Sequence, residues 1–149
     1  MAGDVLSFHA WALAYDRQTA AATDILRAVA ANDPHGPFGS FAASFAHALR
    51  GESRAALAAI TPAFEGAAAH SEMFSRELAH CCALAGDTER ALTHLERAIE
   101  LGMWNVGFLG RHDWFLESLH GEPRFQELLE RARRRTEALH ASGKARHAR

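Results

Sequence analysis

Three groups of side chains in this sequence have the residue types for chemistry. The first is His80-Cys81-Cys82, with His47 on a neighbouring helix, since imidazole and thiolate are zinc ligands. Adjacent helical residues diverge by about 100°, so both sulfurs cannot readily face one ion, and no second ligand pair stands three or four residues away. This spacing favours Cys82 in the core and His80 on a binding face over a metal centre. The second group is His112-Asp113, half of a catalytic dyad. No nucleophile stands at a recognisable spacing, and ten histidines in 149 residues make chance neighbours common; Asp113 reads instead as a helix N-cap. The third is Arg131, Arg133, Arg134 and Arg135, which could attract phosphate in a nucleic acid. No aromatic residue interleaves that run, so a solvated helix end, where cations suit the helix dipole, is the plainer reading.

The sole lysine, Lys144, lies close to the C-terminus. A phosphate-binding loop, a kinase ATP lysine or a Schiff-base lysine would each need one inside the folded body, and no G-x-S-x-G elbow occurs. The sequence therefore points away from an enzyme and calls for no cofactor and no metal. A small enzyme using the histidine-rich body, or a nucleic-acid binder using the arginine-rich helix, is the alternative class.

The elements that position these residues read as all-α. Apolar residues make up 48% of the chain, alanine is abundant and prolines number four, which favours helix because alanine loses no side-chain entropy there. The length suits one domain. Residues 1–13 carry Asp4 early and lack a basic stretch, so no secretory signal is expected. Charged residues interrupt every apolar run, so no membrane span is expected either. Adjacent Cys81 and Cys82 supply no disulfide framework, which fits a cytoplasmic location. Residues 131–149 hold seven of the 16 basic groups and one of the 18 acidic ones, leaving an acidic body and a basic tail.

A repeat of about 35 residues runs through the chain. It superposes Ala21, Ala56 and Ala91, then Ile25, Ile60 and Leu95, then Ala28, Ala63 and Ala98. Gly51 falls on Gly86, and Glu52 on Asp87. Each unit reads as two helices around a tight turn, giving hairpins over about 3–34, 37–69 and 71–102. Ser71 and Asp87 serve as N-caps, and Gly86 as the left-handed residue closing a helix. Thr61-Pro62 breaks the second helix of the middle unit, with Thr61 capping the restart and Pro62 at its first position. In the first unit Asp16-Arg17 stands where the others have the glycine turn, and Asp33-Pro34 ends that hairpin. Residues 103–139 read as a cap. Trp104, Phe108, Leu109, Trp114, Phe115, Leu116 and Leu119 are crowded there, Asp113 starts a short helix, and Pro123 opens a last one with Phe125, Leu128, Leu129 and Ala132 inward. Residues 140–149 read as a flexible basic tail.

Gly before an acid, then Ala, a large apolar residue and Ala, in hairpins of about 34 residues, resembles the tetratricopeptide repeat. The stretches Cys82 to Leu92, Leu95 to Gly102 and Gly121 to Leu129 look like the tetratricopeptide region at the C-terminal end of bacterial multidomain signalling proteins such as serine/threonine kinases. The resemblance implies a right-handed α-solenoid of about three hairpins over residues 1–139 and a protein–protein interaction scaffold. It also implies either a stand-alone relative or the end of a longer gene product.

In such a solenoid the first helix of each hairpin lines a concave groove. The expected lining is Phe38, Phe41, Phe45, Met73, Arg76 and His80, taking a peptide or protein with an acidic group near Arg76. The competing reading makes Phe41 and Phe45 inter-repeat core. Lysine and asparagine are absent from these stripes, so a carboxylate clamp is not expected. Val5, Phe8 and Trp11 on the first helix form an open apolar face that either packs on its own repeat or gives self-association through the N-terminal helix.

Overall fold

The computed structural model, which describes residues 2–147, is all-helical: nine α-helices and one 3-10 helix, with no strand among the described residues. Helices α1 (Ala2–Tyr15) and α2 (Thr19–Asn32) form the first pair. They are followed by α3 (Pro37–Leu49), α4 (Ser53–Ala58) and α5 (Pro62–Ala68), then α6 (Glu72–Leu84) and α7 (Thr88–Leu101). The C-terminal part contains α8 (Val106–Arg111), the 3-10 helix (Trp114–Leu119) and α9 (Pro123–His147). Helices α1 to α7 pack mainly on neighbours in chain order, as short connections require, whereas the 3-10 helix packs mainly on α6, and α9 on α7 and α8.

Local chemistry sets the boundaries. Ser71, Thr61 and Asp87 each accept a hydrogen bond from the backbone N–H three residues on, satisfying a donor that the first helical turn leaves orphaned. Pro62 opens α5 as its first residue, so the break in the middle hairpin falls where expected. The turns after α3 and α6 use Gly51 (φ 74°) and Gly86 (φ 82°). The turn after α1 puts Arg17 in that left-handed region instead (φ 61°), at a cost of about 1–2 kcal/mol for a residue with a Cβ. The offsetting contact is visible: the Arg17 guanidinium lies 4.0 Å from the centre of the Trp114 ring.

Two expectations need correction. In the first repeat the buried column is Ala22, Leu26 and Val29, one residue beyond Ala21, Ile25 and Ala28, because the Arg17 turn enters α2 in a different phase. The expected flexible tail is also helical as far as His147, as a continuation of α9.

Packing divides into two large apolar clusters on opposite sides of α6. Phe74, Leu78 and Cys81 face an aromatic cluster with Phe41, Phe45, Phe64 and Phe115. Ala79, Cys82 and Ala83 face an aliphatic cluster with Leu92, Leu95, Leu116 and Leu119. The two adjacent sulfurs therefore enter different cores, as a divergence of about 100° per helical residue requires. Burial pushes the Cys81 thiol well up and the Cys82 thiol up to about 12, so both are protonated. Gly39 marks the tightest backbone approach: a Cβ there would sit 1.6 Å from the carbonyl oxygen of Asp33.

Candidate functional site

The structure moves the candidate site away from the α3 phenylalanines. Phe41 and Phe45 are 0% exposed, stacked on each other with centroids 5.3 Å apart, and belong to the core rather than to a free groove. Phe38 is half-buried against Phe74. Met73 and Arg76 are partly exposed, and His80 is completely enclosed.

Phe45 and His80 are covered by the chain's own 3-10 helix. Phe115 lies edge-on to Phe45 (5.1 Å) and to His80 (5.1 Å), and 4.4 Å from Tyr15, so one ring joins α1, α3 and α6. An aromatic residue in the cap segment thus fills the face where a ligand was expected.

Asp113 fixes that arrangement. Its Oδ1 accepts the Phe115 N–H (3.2 Å), capping the 3-10 helix as expected, while its Oδ2 is 2.7 Å from Nε2 of His80. The Trp11 indole, which can only donate, points its N–H at Nδ1 of His80 (3.5 Å). These partners assign the proton to Nε2, so the ring donates to Asp113 and accepts from Trp11. Both ring nitrogens are engaged and the His80 and Asp113 side chains are 0% exposed, which leaves no route for proton exchange with a substrate. Besides the expected capping role, the carboxylate pairs with a histidine 33 residues away, and not with its neighbour His112. The Tyr15 hydroxyl is buried in the field of this carboxylate without hydrogen-bond geometry, and desolvation chiefly pushes its pKa up.

The nearest open surface is a cleft of about 540 Å³ lined by Trp11, Glu72 and Arg76 and by the link from Leu101 through Asn105 to Phe108. Arg76 sits on its floor with its guanidinium 5.3 Å from the Trp11 ring centre, 3.6 Å from a Glu72 oxygen and 3.9 Å from the Met103 sulfur. Its Nε has no hydrogen-bond partner. Trp104 at the rim is 69% exposed and Leu101 is 41% exposed. On α1 the apolar surface continues through Phe8 (47%) and Val5 (66%). Only Arg76 and the α1 stripe were visible in the sequence as surface. Trp104 and Phe108 read as parts of a cap, and nothing local announces that residues 101–105 fold beside Trp11.

The other candidates are tied up. His47 pairs with Glu52, and no group of three or more His, Cys, Asp or Glu among the described residues could hold a metal. Arg131 pairs with Glu96, and Arg133 and Arg134 pair with Glu130. Arg135 donates to the carbonyls of Ile99 and Glu100 and so caps the C-terminus of α7. Among the described residues no helix is long and apolar enough to cross a membrane. Comparison with protein-family models, curated proteins and solved structures returns no match.

Proposed function

We infer that this chain is a protein-binding scaffold of the tetratricopeptide kind, cytoplasmic and without catalysis of its own, which holds a helix of a partner protein against α1 and the adjoining cleft. The observation that carries the reading is the exposed pair Val5 and Phe8, at helical spacing from Trp11, beside a cleft that Trp11, Leu101 and Trp104 line together with Arg76 and its partner Glu72. A surface of that composition suits an apolar helix bearing one acidic side chain. Hairpins repeating every 34–35 residues and packing in chain order support the solenoid family. The sealed His80–Asp113 pair argues against hydrolytic chemistry, and the paired arginines of α9 argue against a nucleic-acid face. A regulatory place in a bacterial signalling system follows from the sequence resemblance alone.

The test is site-specific photo-crosslinking. A photoreactive phenylalanine analogue at Phe8 or Trp104 should give discrete protein adducts in cells, and the same probe at exposed Ala20 should not. Equal adducts at all three positions would remove the reading.

A further inference from the structure

We propose that the helix received by this surface is α1 of a second copy, so that the chain forms a two-fold symmetric dimer. The proposal rests on the protein-binding reading above and names its partner.

An apolar helix with one acidic side chain suits this surface, and α1 itself fits that description. Over Ala2–Tyr15 its only charged residue besides His9 is Asp4, and Asp4 makes no ion pair among the described residues. One side of α1 is closed by Ser7, Ala10 and Ala14, while Val5, Phe8 and Ala12 stand open on the other, at the spacing of a helix–helix seam. A helix apolar all round normally lies buried. The knob (Val5, Phe8) and the hollow (the cleft beside Trp11) are neighbours on one face. A two-fold axis beside Phe8 then sends each knob into the other copy's hollow, as an isologous interface requires.

Charge sets the register. With the helices antiparallel about Phe8, Asp4 lies four residues, about 6 Å, beyond the axis. The second copy's Trp11 lies three residues, about 4.5 Å, beyond it on the same side, which brings Asp4 alongside the ring that the Arg76 guanidinium approaches to 5.3 Å. The pairing occurs twice, and it adds a second carboxylate to a guanidinium that Glu72 approaches only to 3.6 Å. A parallel arrangement would set the two Asp4 side chains together and leave both Arg76 side chains without them.

Sedimentation velocity of the full chain from about 1 to 200 μM decides the matter, with far-UV circular dichroism confirming that each variant stays helical. The wild type should dimerise with rising concentration. Phe8→Asp should weaken dimerisation by roughly 30-fold or more, as for a central interface residue. Asp4→Arg and Arg76→Asp should each weaken it, whereas the double variant should recover most of the loss, which only an intermolecular pair can produce. A strict monomer at 200 μM overturns the inference, as does a dimer indifferent to Phe8→Asp or a double variant no better than the singles. In a monomer, crosslinks at Phe8 and Trp104 to another protein would leave the scaffold reading standing, and their absence would remove both.

Discussion

The two cores that share α6 are built on different principles. The aliphatic side joins α6, α7 and α9 through Leu92, Leu95, Ile99, Leu119, Phe125 and Leu128, and its seams are those a repeat pattern announces. The aromatic side joins α1, α3, α5 and the 3-10 helix, and it encloses polar atoms: the His80–Asp113 pair, plus Ser44 Oγ and Tyr15 Oη with no hydrogen-bond partner. Apolar packing is non-directional and tolerates repacking, whereas a buried polar pair fixes one arrangement and is expensive to break. One side is held by area and the other by specific partners.

That difference can be broken most sharply at Asp113. Asp113→Ala removes a turn cap and leaves His80 without its acceptor, so equilibrium urea unfolding should show a loss of about 3–5 kcal/mol. On the aliphatic side, Leu95→Ala should cost about 2–5 kcal/mol through cavity formation alone, with no change in how stability varies with pH.

Glu77, one turn before Cys81 on α6, sharpens the contrast through pH. Burial raises its pKa to about 8 from 4.5, against the lowering effect of Arg76, and its Oε2 has no hydrogen-bond partner. The folded chain therefore keeps a proton that the unfolded chain has released. Its stabilising contribution is complete below pH 4.5, declines between 4.5 and 8, and levels off above that. The limiting slope is about 1.4 kcal/mol per pH unit. Glu77→Gln should flatten this profile in unfolding titrations at pH 5, 6.5 and 8, and an unchanged slope would assign it elsewhere. The smallest effect should come from Arg17→Gly: relief of the positive φ opposes loss of the contact with Trp114, leaving a net change in melting free energy within about 1 kcal/mol.

The same contrast explains what could be read from the sequence. Caps at Thr61, Ser71, Asp87 and Asp113, the proline break and the inward residues of α9 are local matters of side chain and neighbouring backbone, and the structure places each where residue type predicts. The one-residue phase shift of α2 is not local: Arg17, a poor candidate for a left-handed turn, takes that role in contact with Trp114, 97 positions away. The face of Phe41 and Phe45 is closed for a similar reason. Phe41 and Phe45 do lie on a face left open by their own hairpin, but its occupant, Phe115, comes from the far end of the chain. Spacing reveals which residues share a face and carries no information on which distant segment covers it.

One carboxylate has a consequence for how this chain unfolds. Asp113 uses one oxygen to start a local turn and the other to hold a helix from the middle of the sequence, while the ring two residues on rests against α1. In an open row of hairpins the outermost units fray independently. Here the first and last thirds are clasped together, so amide protons in α1 and in the 3-10 segment should exchange with a common opening free energy, and neither end should come loose alone.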